Sequence, residues 1–257
     1  MLYLGTSGYS YDDWVGPFYP PRTAKKDFFA FYVDHFNTVE INFTHYALPA
    51  QSTIKNIADR APEGFIFTVK SYKDMTIGRT QDPQTYSEYR YSLDPMVKQN
   101  KLGCVLLQFP NRFNLSKDNV NHLAFIRKQL SDLPLCVEFR HRSWVDDERT
   151  FDFLRDHEMA YCCVDEPPLQ DLVPPLVRVT ALFAYVRFHG RNADTWYGGE
   201  HAWTRYNYLY NDDELREWVE PVGTLQEQVK DTFVYFNNHY GANAVKNAQD
   251  FARLLEE

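Results

Sequence analysis

Short apolar runs alternate along this chain with polar loops and with longer stretches whose apolar residues recur at helical spacing. Eight runs predict strands: residues 2–8, 38–42, 65–70, 102–109, 135–141, 159–166, 184–191 and 231–239. They are rich in Val, Phe, Tyr and Leu, and several are apolar throughout, as in parallel strands covered on both faces. Between them lie helical patterns. Residues 24–36 carry Phe28, Phe31, Tyr32 and Phe36 at helical spacing. Ser116 is placed to cap a helix presenting Leu123, Ile126 and Leu130, and a helix over 241–255 closes the chain. The strand starts are spaced as βα units require, because parallel neighbours need a crossover between them. Eight such units predict an α/β fold: a single (β/α)8 TIM-type barrel, one domain over residues 1–257. No Gly-x-Gly-x-x-Gly follows any strand, so an open dinucleotide-binding sheet has no motif behind it.

The polar residues of these runs gather at their C-terminal ends. Strand two ends in Glu40 and Asn42, strand three in Lys70 and strand four in Gln108. Strand five offers Glu138 and Arg140, and strand six Asp165. Strand seven offers Arg187, His189 and Arg191, which alternation places on one face, and strand eight offers Asn237 and His239. A buried polar group without a partner costs about 1–3 kcal/mol, so this many would not collect unless they satisfy one another or a ligand. In barrels of this class the C-terminal rim is where ligands bind. The loops that follow the strands add rings: Tyr11 and Trp14 after strand one, Trp144 after strand five, and Trp196 and Trp203 after strand seven. Exposed rings stack on sugars, bases and guanidinium groups.

Charge narrows the chemistry. The chain has a formal net charge of −8, which argues against coating nucleic acid or an anionic membrane through its overall field. No stretch is long and apolar enough to span a bilayer. The first residues lack a basic lead and an apolar segment, so no signal peptide and a cytoplasmic location are expected. The four cysteines, Cys104, Cys136, Cys162 and Cys163, lie in apolar runs without metal-ligand spacing and read as buried, reduced thiols.

Glu40, Glu138, Asp165 and His189 are the candidate acid–base groups. Lys70, Arg140, Arg187 and Arg191 would hold an anion, joined by Gln108, Asn237 and His239, with Tyr11, Trp14, Trp144 and Trp196 against a ring. Carboxylates and imidazole also suit a divalent metal, but arginines compete for those carboxylates, so no cofactor is expected. The same polar set has a bland alternative, in which Glu40–Lys70 or Glu138–Arg140 pair off and plug the barrel.

Several segments together carry a family resemblance. They are Gly5-Thr6-Ser7-Gly8-Tyr9 with Tyr11 and Trp14, Thr38-Val39-Glu40-Ile41-Asn42, Leu107-Gln108-Phe109-Pro110, and Val137-Glu138-Phe139-Arg140-His141 with Ser143-Trp144. Arg187-Phe188-His189-Gly190-Arg191, Tyr206-Asn207-Tyr208-Leu209-Tyr210 and Phe236-Asn237-Asn238-His239 complete the set. In this order they resemble the YecE-like family, domain of unknown function seventy-two. The resemblance implies a TIM-type barrel in a cytosolic protein and implies no particular activity. The chain departs from the family pattern at His45-Tyr46-Ala47-Leu48-Pro49, which lacks an arginine, and at Met75-Thr76-Ile77-Gly78, which lacks a histidine.

The expectation is an enzyme whose partner is a small anionic, phosphorylated or sugar-like molecule. A nucleic-acid barrel resembling abasic-site endonucleases is the second reading, and a non-catalytic small-molecule binder the third.

Overall fold

The computed structural model describes residues 1–198 and 204–257. Its eight strands are β1 (Leu2–Thr6), β2 (Thr38–Ile41), β3 (Ile66–Lys70), β4 (Leu102–Gln108), β5 (Leu135–Glu138), β6 (Met159–Asp165), β7 (Phe183–Phe188) and β8 (Asp231–Phe236). All pair in parallel, in the order β1-β8-β7-β6-β5-β4-β3-β2. A parallel bridge from Ser7 to Glu40 joins the first and last members, with Gly8 N–H donating to the Glu40 carbonyl at 2.9 Å. Gly5 makes that seam possible, because a Cβ there would sit 2.3 Å from the Thr38 carbonyl oxygen. The result is the (β/α)8 barrel that the spacing of the runs predicts.

The helices among the described residues are α1 (Phe28–Tyr32), α2 (Gln51–Arg60), α3 (Lys73–Thr76), α4 (Pro83–Lys98), α5 (Lys117–Gln129), α6 (Arg149–Asp156), α7 (Asp212–Arg216), α8 (Val219–Gln228) and α9 (Asn243–Glu256). Ser116 caps α5 as expected, its Oγ accepting from Asn119 N–H at 3.3 Å, and Leu123, Ile126 and Leu130 are buried. α1 is shorter than its pattern, yet Phe28, Tyr32 and Phe36 still face the core. α9 shows how helix and barrel join. Its Phe251 packs on Phe188 of β7 and Phe236 of β8, whose rings stack 4.4 Å apart. Each such ring is worth about 1.5–3 kcal/mol of burial. No helix of the described residues is long and apolar enough to cross a membrane. All four cysteines are free and buried.

The lumen fills in layers set by the two-residue period of the strands. Tyr3, Phe183 and Phe233 close the N-terminal end through ring contacts. Above them, Thr38 Oγ1 lies 2.5 Å from Tyr235 Oη, and Thr68 Oγ1 2.9 Å from Tyr185 Oη. One period further along these strands come Glu40, Lys70, Arg187 and Asn237. Strands β5, β7 and β8 end at residues 138, 188 and 236, earlier than the apolar runs predict, because the last barrel pairings fall there and the chain turns into loops.

Candidate functional site

Arg187 lies at the centre of the upper layer and is 1 % exposed. Its Nη2 donates to Glu40 Oε1 at 2.7 Å and to Ser7 Oγ at 3.2 Å. Its Nη1 donates to Glu138 Oε2 at 2.5 Å and to Gln108 Oε1 at 3.1 Å. The second oxygen of Glu40 accepts from Tyr185 Oη at 2.7 Å. Side chains of β2, β4 and β5 and of Ser7 just past β1 therefore hold one guanidinium, and both Glu40 oxygens are occupied from within the barrel.

Glu138 carries a second arginine. Arg140 Nε stands 2.6 Å from Glu138 Oε1, an ion contact in which neither atom has an aligned hydrogen bond. Arg140 Nη1 donates to Glu166 Oε2 at 2.7 Å, and Val173 N–H donates to Glu166 Oε1 at 3.1 Å. His189 completes the cluster. Its Nε2 is 3.1 Å from Arg140 Nη2 and 3.3 Å from Glu138 Oε1, and its Nδ1 is 3.0 Å from Asn237 Nδ2. Trp196 lies over this group, with the Arg140 guanidinium 5.5 Å from its ring centre.

The environment separates these groups electrically. Burial raises the Glu138 carboxyl, but Arg140, Arg187 and His189 outweigh it and hold it well below the usual carboxylate range. Burial, then Arg140, pushes His189 down to about 3, so the imidazole is neutral near pH 7. Burial pushes Glu166 up to about 7, against the pull of Arg140.

Above Arg187 opens a cavity of about 450 Å³. Seven sequence-predicted residues line it: Tyr11, Glu40, Lys70, Gln108, Arg187, Asn237 and His239. Tyr11 and His239 form a wall, their rings stacked 4.6 Å apart, and Tyr206 sits beside His239. Lys70 differs from every other cation of the site. Among the described residues its ammonium makes no ion pair and no hydrogen bond, because the nearby carboxylates are already held by arginines and Tyr185. Of the two pairs in the bland alternative, Glu40–Lys70 does not form, whereas Glu138–Arg140 does. Burial, then Arg187, pushes Lys70 down to about 8. Asn42 also lines the cavity, and its Oδ1 is buried without a partner.

Glu138, Arg140 and His189 are brought together, but beside and beneath the cavity rather than on its wall. Four predicted residues belong elsewhere. Asp165 points out of the barrel, where Arg191, Tyr210 Oη and Trp218 Nε1 donate to its two oxygens. Arg191 leaves the face of Arg187 and His189 because Gly190, at φ +89°, breaks the strand alternation, and it joins Asp165 and Glu217 instead. Trp14 is buried and donates to the His239 carbonyl at 2.7 Å, so it props the cavity wall from behind. Trp144 is buried between Phe113 and Phe139 and donates to the Phe113 carbonyl at 2.6 Å. Trp203 lies outside the described residues.

Sequence reasoning missed Glu166, Ser7 and Tyr185. Glu166 shares the face of Cys162, whose Sγ lies 3.9 Å from Glu138 Oε2, and Asp165 does not, but β6 is buried on both faces, so the sequence alone did not tell which face turns inward. Ser7 stood in the Gly5–Tyr9 segment of the family resemblance without a role, and Tyr185 carried no signal, because a hydroxyl in an apolar run is ordinarily core. No group of three or more His, Cys, Asp or Glu side chains among the described residues is arranged to hold a metal ion.

Fold and site define a (β/α)8 barrel with a polar cavity at the C-terminal ends of its strands. The chain belongs to the family described as "Protein of unknown function DUF72", whose model matches residues 3–257. It is 36% identical over 273 residues to the UPF0759 protein YunF of Bacillus subtilis (strain 168), covering 100% of this chain and 95% of the relative. It also resembles the crystal structure of a DUF72 family protein from Thermotoga maritima MSB8, at 38% identity and a TM-score of 0.92, with both chains fully covered. A DUF72 family protein from Enterococcus faecalis V583 is similar at 28% identity and a TM-score of 0.90, covering 100% of this chain and 96% of that one.

Proposed function

We propose that this protein is an enzyme acting on a small acidic or phosphorylated sugar-like molecule in the cavity above Arg187. The observation that carries this reading is Lys70, a cation on the wall of a cavity of about 450 Å³ whose ammonium has no ion-pair or hydrogen-bond partner among the described residues. Lys70 is half-buried, and a charge partly withdrawn from water gains from a counter-charge, so the site favours an electron-rich ligand oxygen at that point. Asn42 Oδ1, without a donor, and the amides of Gln108 and Asn237 suit hydroxyl groups. The Tyr11–His239 stack offers an apolar wall for a ring face. Arg140 and Arg187 are neutralised by Glu40, Glu138 and Glu166, so they set the local field rather than grip the anion. That engagement also removes the free arginines on which phosphate contacts to nucleic acid would rest.

A thermal-shift and calorimetric screen of sugar phosphates, sugar acids and neutral sugars tests this. Acidic or phosphorylated compounds should raise Tm, and Lys70→Met should abolish the rise. A ligand at about 100 times its Kd adds about 2.7 kcal/mol, so a true ligand is readily seen. The proposal is lost if no acidic compound stabilises the protein, or if Lys70→Met binds as well as the unaltered chain.

A further inference from the structure

We propose that Lys70 is a nucleophile that joins its side-chain nitrogen to a carbonyl carbon of the ligand as an iminium. This deepens the reading above and rests on it, since the carbonyl compound must first occupy the same cavity.

Position comes first. Lys70 is the last residue of β3, two residues past Thr68, whose hydroxyl meets Tyr185 inside the barrel. Side chains two apart share a strand face, so Lys70 also points into the lumen, at the end where barrel enzymes keep their chemistry. It lines the cavity together with Glu40, Gln108, Arg187 and Asn237.

The second consideration is what surrounds the amine. Glu40 gives one oxygen to Arg187 and the other to Tyr185. Glu138 gives one to Arg187 and stands against Arg140 with the other. Among the described residues neither Glu40 nor Glu138 pairs with the ammonium, and Arg187 stays beside it as a fixed charge. The remaining titratable neighbours on the cavity wall are His45, His239, Tyr9, Tyr11, Tyr46 and Tyr206. Lys70 is half-buried beside Arg187, and partial withdrawal from water next to another cation eases a lysine toward the free amine that attacks a carbonyl. Burial first, then Arg187, holds the Lys70 amine below the ordinary lysine range, with Glu40 and Glu138 opposing. An anion site alone would be served better by an arginine, with its rigid, permanently charged fork. Here both arginines are tied to carboxylates, and the cation without a partner is the one that can shed its proton.

The step balances. The ammonium gives up a proton, and the free amine attacks the carbonyl carbon to form a C–N bond. The carbonyl oxygen takes up two protons, one the ammonium released and the other from the attacking nitrogen, and departs as water, leaving the iminium. Its positive nitrogen draws electrons from the adjoining carbon, which makes a neighbouring C–H or C–C bond easier to break. No oxidant or reductant is needed.

The test is reductive trapping on the full chain. The probe is dihydroxyacetone phosphate with sodium borohydride, read by intact mass and peptide mapping. Binding is followed separately by thermal shift, without borohydride and with glycerol 3-phosphate as the ligand lacking a carbonyl. The expected result is one adduct per chain on Lys70, heavier by the ketone less one oxygen atom. Its rate should rise through pH of about 8, and it should be absent in Lys70→Met and in Lys70→Arg, which keeps the charge. Stabilisation by either phosphate without an adduct, or an adduct undiminished in Lys70→Arg, overturns the iminium and leaves the binding reading intact. No stabilisation and no adduct overturns both.

Discussion

Arg187 and Glu138 meet 2.5 Å apart in the barrel, the guanidinium 1 % and the carboxylate 0 % exposed, on strands that are not neighbours in the sheet. The pair links β7 to β5 past the intervening β6 and draws in Glu40, Gln108 and Arg140. It forms the floor of the cavity, and its geometry decides which charges remain for a ligand.

Breaking that floor should be costly. Glu138→Gln leaves Arg140 and Arg187 short of a buried counter-charge, and loss of one partner of a buried pair typically costs about 3–5 kcal/mol. At this chain length the fall in Tm is on the order of 10 °C. Glu138 would be a solvated, exchangeable acid rather than a structural anion if calorimetry showed Tm unchanged within about 2 °C.

Lys70 makes the opposite prediction for stability. Its folded pKa, about 8, lies below the ordinary 10.5, so the unfolded chain binds more protons between these values. Stability should rise as pH increases from about 8 toward 10.5 through this group. Lys70→Met should match or exceed the parent Tm near pH 7 and lose that rise. A Tm drop at pH 7, with the alkaline slope unchanged, would show that Lys70 has a partner when folded.

Gly190 controls how strand seven ends. At φ +89° an alanine is strained, and its Cβ would sit 2.6 Å from Tyr208 Cβ, an atom too near the backbone to move cheaply. Gly190→Ala should cost at least about 1–2 kcal/mol, the ordinary penalty of a left-handed side-chain position. It should also disturb the Arg191–Asp165 contact. Denaturant melts that superimpose on the parent would contradict this placement.

Trp144 separates a core role from a ligand role. Trp144→Phe keeps the stack on Phe113 and Phe139 but leaves the buried Phe113 carbonyl without the indole donor. A stability loss of about 1–3 kcal/mol is expected, with ligand affinity unchanged. A large affinity loss at unchanged stability would return Trp144 to the cavity.

The polar strand ends were legible where the strand stayed regular. Glu40, Lys70, Gln108 and Arg187 sit where a period of two places them, and all reach the cavity. Legibility failed where regularity stopped. Alternation carried past Gly190 put Arg191 on the wrong side, and the wrong phase on β6 chose Asp165 over Glu166. The tryptophans failed for a different reason. A ring in a loop after a strand can face solvent, ligand or core equally well by sequence, and for Trp14 and Trp144 burial with a bonded indole N–H won.

By itself, the order of apolar runs and helical stretches determined a parallel (β/α)8 barrel, because local periodicity decides which faces can be buried and parallel strands demand crossovers. It also determined that charge would gather at one end. Only the tertiary structure decided which charges cancel. Glu40 and Arg187 are 147 positions apart in the chain, and their contact depends on register and barrel closure, which no local pattern encodes. Among the described residues that closure pairs both arginines and leaves Lys70 without a carboxylate, since Coulomb partners are chosen by distance in space rather than by position along the chain.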